Sequence, residues 1–246
     1  MSRTLIAAYG AASYFVFLGT FLYLIGFIAG IAVPKGVDDG PLVAWPLALA
    51  VNLGLIALFG VQHSVMARPG FKRLWTRVVP PAAERSTYVL LSSVALVVLY
   101  LAWLPMPSQV WSVEASWLRG LLWALFGLGW VVALVSTFLI DHFDLFGLRQ
   151  VWHHWRGTEC PSHPFKTPAL YHWVRHPLMT GFLMVFWLVP DMTVGHLVFS
   201  AGMTAYIVVG TLYEERDLIA AFGERYRRYA ASVPRFIPMP GRRTGE

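Results

Sequence analysis

The residues of this chain able to do chemistry fall into three groups. The stretch YHWVRHPLMTG at 171–181 sets Tyr171, His172, Arg175, His176, Pro177 and Gly181 directly against a hydrophobic run. Ionisable groups are costly at membrane depth and mark pockets or pathways, so an arginine and two histidines here point to something polar. Glu214 and Glu215 form a second group, after that run and the longer one that follows it. An amphipathic surface helix with arginines on lipid headgroups explains Arg225, Arg227 and Arg228 further on. It does not explain two adjacent carboxylates at a membrane boundary. The third group is Asp141, His142 and Asp144 after the fourth long apolar run, with His63, Arg85 and Tyr88 at the ends of the second and third runs.

If residues 178–213 fold as a helix hairpin, Arg175 and His176 at its entry and Glu214 and Glu215 at its exit share one membrane face and form one polar mouth. A plain ion pair is one reading of that mouth. Another is a ligand both anionic and rich in hydroxyls, such as S-adenosylmethionine: Arg or His pairs its carboxylate, a Glu accepts from the ribose hydroxyls and aromatic walls favour the sulfonium. A metal site is a third reading, because His172 and His176 are four apart and would share a helix face, with His153 and His154 as further ligands. Membrane di-iron oxygenases use three histidine boxes, whereas this chain has one HxxxH with Pro177 just after it. No metal is expected. His153, His154 and His163 are read as exposed loop.

The elements that must position these groups are membrane helices. Of the 246 residues, 57% are hydrophobic and 13% charged, with eleven Trp, and mean hydropathy is +0.58. A soluble globule carries about twice that charged fraction. The net charge of +6 is dispersed between apolar runs with no nucleic-acid-reading motif, so lipid and not nucleic acid is the expected contact. Cys160 is alone, which excludes an intrachain disulfide and a multi-cysteine metal framework. Uncharged runs at 4–33, 42–67, 86–113 (core about 88–104) and 120–140 are each long enough to cross a bilayer, which takes about 20 helical residues. The first run is longer than a signal h-region and reads as a retained span.

Residues 33–41 and 104–109 read as turns by their Pro and Gly content. The final apolar stretch splits into a short leg 178–190, a turn at Pro190 and Asp191, and a long leg 192–213. The expected fold is all-α: a four-helix scaffold over 1–140, then a region over 141–246 containing the hairpin and an amphipathic helix continuing from Tyr213. Arginine and lysine concentrate in the second and fourth loops and after Glu215. The positive-inside rule therefore puts both termini and those loops in the cytoplasm, and the expected location is the bacterial cytoplasmic membrane. Asn52, Gln62 and His63 are the conspicuous polar groups of the first four spans. A transporter or sensor subunit is the non-catalytic alternative; transport would normally show polar or broken helices at the midplane and paired repeats, and the sequence shows neither clearly.

RHPLMTG at 175–181, EE at 214–215, GERYRRY at 223–229 and VPRFIP at 233–238 resemble the integral-membrane methyltransferases that include isoprenylcysteine carboxyl methyltransferase and the phospholipid N-methyltransferases. That pattern implies S-adenosylmethionine as cofactor, with Arg175, His176, Pro177 and Gly181 in the first motif and Glu214 and Glu215 in the second. Met179 stands where that family has Tyr, which suggests a different acceptor from that of the prenylcysteine enzymes; methylation of a prenylcysteine or a lipid headgroup is the alternative. FGVQHSVMARPGFKRLW at 59–75, ERSTYVLLSS at 84–93 and DHFDLFGLRQVW at 141–152 look most like the bacterial methanethiol S-methyltransferases and their denitrification-associated relatives. The implied substrate is a small volatile thiol, methylated to dimethyl sulfide, with no obligate protein partner. The nucleophile must be a thiolate, and a free thiol titrates above neutrality, near ~8.5 for cysteine. A proton acceptor or stabilising cation is therefore needed. Asp141, His142 and Asp144 are the first candidates; His63, Arg85 and Tyr88 are the second set.

Overall fold

The computed structural model describes residues 2–161 and 165–239; His163 and most of the tail beyond Pro238 lie outside them. In chain order the elements are α1 (Arg3–Ala29), α2 (Trp45–Ala67), α3 (Pro69–Trp75), α4 (Pro81–Ala102), β1 (Gln109–Ser112), α5 (Ser116–Ile140), α6 (His142–Leu145), α7 (Leu148–Arg156), a 3-10 turn (Ala169–His172), α8 (Pro177–Trp187), β2 (Asp191–Thr193), α9 (Val194–Phe222) and α10 (Glu224–Ser232). Helices α1, α2, α4, α5 and α9 are long and apolar enough to cross a membrane. At 11 residues, α8 reaches about 16 Å, short of a ~30 Å hydrocarbon core. The chain is thus an all-α polytopic membrane protein. The paired strands β1 and β2 are the small exception.

Two sequence expectations are corrected. His153 and His154 lie within helix α7 and not in a loop, whereas the third span ends as its expected core and turn require, at Ala102, because Pro105 and Pro107 cannot continue a helix. Nor does one amphipathic helix continue from Tyr213 to the end. It breaks at Gly223, whose φ of 56° and ψ of −130° suit a residue without a Cβ.

The chain forms two compact units. The first comprises Met1–Val110, His142–Ser162 and Met192–Phe199; the second comprises Trp111–Asp141, His163–Asp191 and Ser200–Glu246. The junction after α5 falls between Asp141 and His142.

In the first unit α1 packs on α4 and α7, and α4 on α2. Gly10 admits α7 closely, since a Cβ there would meet Val151 Cγ2 at 2.6 Å. Ile6, Ala83 and Val151 are buried at that crossing. The opposite end of the unit is an aromatic knot in which the Phe199 ring lies 5.8 Å from Phe27 and 5.7 Å from Trp103. Asn52, fully buried in α2, donates from Nδ2 to the Leu104 carbonyl at 2.8 Å and accepts from the Leu104 N–H at 2.9 Å. It thus satisfies backbone just past the α4 terminus that would otherwise be costly in an apolar surround.

In the second unit α5 and α8 cross at glycines. A Cβ at Gly181 would meet the Gly129 carbonyl oxygen at 2.5 Å and the Ala133 nitrogen at 2.7 Å. Small residues let backbones approach this closely where no hydrophobic effect drives association. Arg119 grips Asp191 with two hydrogen bonds of 2.9 and 2.7 Å, and Ser112 donates to the same carboxylate at 2.6 Å. These bonds hold the Asp191 carboxyl below its usual range, the Arg119 bonds most.

Candidate functional site

Within the second unit the chain segments before α8, along α9 and after α10 converge on Glu215. Proline at the first position of α8 leaves His176 as its non-helical N-cap. The preceding backbone is pinned to the segment after α10: Arg175 N–H donates to Pro234 O at 2.8 Å and His176 N–H to Arg235 O at 3.1 Å. Thr180 Oγ1 adds a bond to Phe236 O at 2.8 Å.

Glu215 is buried and saturated. Its Oε1 accepts from Arg175 Nε at 2.8 Å and Arg235 Nε at 3.2 Å, and lies 3.1 Å from His176 Nε2. Its Oε2 accepts from Arg235 Nη2 at 2.5 Å. Arg175 Nη1 donates to the carbonyls of Ala230 and Val233. Two guanidinium groups against one carboxylate leave a surplus positive charge. Glu214 differs: its side chain is 50% exposed and its Oε2 stands 3.6 Å from His176 Nδ1. The mouth expected from sequence therefore has one structural carboxylate and one that faces outward.

Tyrosines line this cluster. Tyr229 donates to the Tyr171 carbonyl at 2.6 Å, and burial pushes the Tyr171 and Tyr229 hydroxyls up. Tyr226 is 2% exposed, its hydroxyl has no hydrogen-bond partner among the described residues, and burial pushes it up to about 12. Phe165 packs on Tyr226 and Tyr229. Pro177 is buried at the start of α8, and Gly181 is occupied by the α5 crossing.

The residue pair offered for a metal does not assemble as expected. His172 closes the 3-10 turn and is exposed, whereas His176 caps α8 and is buried, so they share no helix face. Among the described residues no group of three or more His, Cys, Asp or Glu could hold a metal ion.

Within the first unit the two sets considered for thiol activation come together, apart from Asp141, which caps α5 in the second unit. Buried His142 has Nε2 2.8 Å from the Tyr14 hydroxyl and its ring 4.8 Å from Phe146. Phe146 stacks on Phe17 at 3.9 Å and packs on the buried Met66, Tyr88 and Val89. The His63 ring lies 4.8 Å from Tyr88, and its Nδ1 3.0 Å from Ser92 Oγ. Arg85 donates to Leu145 O at 2.9 Å and stands 5.4 Å over the Tyr88 ring. Asp144 accepts from Gln150 at 3.1 Å.

Sequence reasoning missed Arg235, Tyr226 and Tyr14. Arg235 lies inside the VPRFIP motif, whose prolines end the preceding helix, and that was the available signal. Tyr14 is one aromatic in an apolar span and carries none.

A multi-pass helical protein with two partly buried arginines on a buried glutamate and a small aromatic site is what fold and geometry define. The chain belongs to the NnrU protein family, whose model matches residues 51–238. It is 54% identical to the methanethiol S-methyltransferase of Mycobacterium tuberculosis over 99% of this chain and 100% of that one. It is 47% identical to the methanethiol S-methyltransferase of Crocosphaera subtropica over 99% and 96%. The human protein Nurim is more distant, 31% identical over 69% of this chain and 68% of its own. No solved structure matches.

Proposed function

We propose that this chain is an S-adenosylmethionine-dependent thiol S-methyltransferase that converts methanethiol to dimethyl sulfide. The observation that carries the reading is the Arg175, Arg235 and Glu215 cluster with outward Glu214 beside it, in a chain 54% identical to a methanethiol S-methyltransferase.

S-adenosylmethionine, when bound, supplies a sulfonium methyl group that a thiolate can take up, with S-adenosylhomocysteine as the leaving group. The residues present fit such a cofactor. The surplus cation of Arg175 and Arg235 suits its carboxylate, and Glu214 suits the ribose hydroxyls. The buried Tyr226 hydroxyl offers a further bond in the same surround. Glu215 and His176 position the arginines. Tyr171, His172 and Pro177 hold the backbone entering α8, and Gly181 holds α8 against α5.

For the thiol's proton, His142 is the residue the geometry favours, reached through the Tyr14 hydroxyl. A tyrosine that passes its own proton to the imidazole while taking one from the thiol leaves thiolate, the nucleophilic form. Arg85, held by the Leu145 carbonyl, supplies positive charge nearby, Gln150 orients Asp144, and Asp141 and His63 stay in reserve for the same role. Lysine and arginine in the second and fourth loops and after Glu215 place both termini on the cytoplasmic side of a bacterial cytoplasmic membrane, and the short α8 with the long α9 makes the hairpin that this parity requires.

Headspace chromatography over detergent-purified protein given S-adenosylmethionine and methanethiol should show dimethyl sulfide, absent with Arg175→Ala. By calorimetry, Arg175→Ala and Glu214→Gln should each weaken S-adenosylhomocysteine binding. Unchanged affinity in both overturns the cofactor site; binding without product leaves a methyltransferase of another acceptor.

A further inference from the structure

Two buried polar atoms of the first unit stand without a partner among the described residues beside one apolar cluster. Gln62 gives its amide N–H groups to Met66 Sδ at 3.1 Å and Ser92 Oγ at 3.4 Å, yet its Oε1 is buried and unbonded. Trp75 packs its ring against the buried Met66, Tyr88 and Val89, and its indole Nε1–H is also buried and unbonded. One is an acceptor and the other a donor, and buried groups of this kind are ordinarily satisfied. The surrounding surface is soft and aromatic: Met66, Phe17, Phe71, Tyr88 and Phe146. Thioethers and rings of this sort make favourable contacts with sulfur.

We propose that this cluster is the binding site for the methyl acceptor, a small alkanethiol. The thiol S–H donates to Gln62 Oε1, its sulfur accepts from the Trp75 indole N–H, and its alkyl group lies on Met66, Tyr88 and Phe146. One weak donor and one weak acceptor match the two unmet atoms. A sugar or headgroup would bring more polar groups than the cluster can satisfy. Phe146 links the site to His142 and Tyr14; the S–H that rests on Gln62 in the bound thiol turns about its C–S bond toward the Tyr14 hydroxyl when the proton is given up, and the Trp75 N–H stays on the sulfur. The inference rests on the thiol-methylating reading, but its test does not need turnover.

The test uses full-length protein with Cys160, which is exposed, changed to Ser and a probe thiol placed by Met66→Cys. Methyl methanethiosulfonate delivers a methylthio group: the probe thiolate attacks the sulfenyl sulfur, a disulfide forms and methanesulfinate leaves. Since Met66 is 6% exposed, the probe reacts only if a small sulfur compound can enter. Labelling read by intact mass should proceed, and saturating dimethyl sulfide should slow it at least several-fold. A probe thiol that stays unlabelled, or labels equally fast with dimethyl sulfide present, overturns the site. In parallel, Gln62→Leu should raise the KM for methanethiol about tenfold, one weak hydrogen bond's worth, and leave S-adenosylhomocysteine affinity unchanged. An unchanged KM counts against the site, and ordered water is then the partner of both atoms. Protection of the probe thiol in a protein that binds no S-adenosylhomocysteine would instead overturn the cofactor reading and leave the thiol site standing.

Discussion

The charged cluster around Glu215 and the aromatic cluster around Met66 and Tyr88 are opposite in how completely they satisfy themselves. Around Glu215 both carboxylate oxygens are filled, and Arg175 spends its bonds on Glu215 and two carbonyls. Around Met66 the amide oxygen of Gln62 and the indole N–H of Trp75 are left over. A site for a charged cofactor has to be assembled before the cofactor arrives, because like-charged arginines need a counterion to lie side by side. A site for a small, weakly polar substrate can leave its few bonds unmade at modest cost. Charge pairing with Glu215 fixes the two arginines in place, and recognition falls to their surplus charge and to Glu214 at the margin.

That contrast breaks first at Glu215. Replacing it with Gln should lower stability by about 3 kcal/mol, as when one partner of a buried ion network is lost, and abolish measurable S-adenosylhomocysteine binding; thermal unfolding with calorimetry reads both. Retention of wild-type affinity would mean that the cluster is not the scaffold of the cofactor site.

His142→Gln should leave cofactor affinity intact and lower kcat on the order of 100-fold, the scale of a lost proton acceptor. Its residual rate should climb with pH as free thiolate accumulates, and a profile parallel to wild type would remove His142 from proton transfer. Gly181→Ala should cost about 1 to 3 kcal/mol by pushing α8 off α5, visible as a lower melting temperature. An unmoved melting temperature would show that the helices yield without penalty.

The smallest effect belongs to Asp191→Asn. The Asp191 carboxyl is held low by Arg119 and Ser112, so it contributes stability above its unfolded pKa and loses it as pH falls through the folded value. The variant should lack that acid-side decline. The pair is exposed and screened, so melting at neutral pH should barely change.

Much of this was legible because hydropathy and charge placement act through length and sign alone. The apolar runs mark α1, α2, α5 and the short leg of the hairpin to within a few residues, although α9 runs on past the expected 213 to Phe222, and the antiparallel legs bring Arg175 and His176 to Glu215. What stayed hidden depends on chain that folds back. Seven arginines follow Glu215, and no pattern says that Arg235 returns to it while Arg227 stays on the surface with Glu224. The two sets proposed for thiol activation looked separate because residues 63–88 and 142–146 are far apart in sequence; the reach of Arg85 to Leu145 and the ring of Phe146 join them. The prolines at 105 and 107 marked the turn after the third span, whereas glycine at 223 was visible as a residue without marking that the helix breaks there.

The interleaving of the two units also sets the order in which the protein can be made. Phe199, which closes the aromatic knot against Phe27 and Trp103, is translated after the whole of α5 and α8. The first unit therefore stays unfinished on the ribosome until about four fifths of the chain has been synthesised. Helices inserted early must wait in the bilayer for a partner that arrives late, so a nascent chain stalled before Met192 would expose an unfilled seam to quality control.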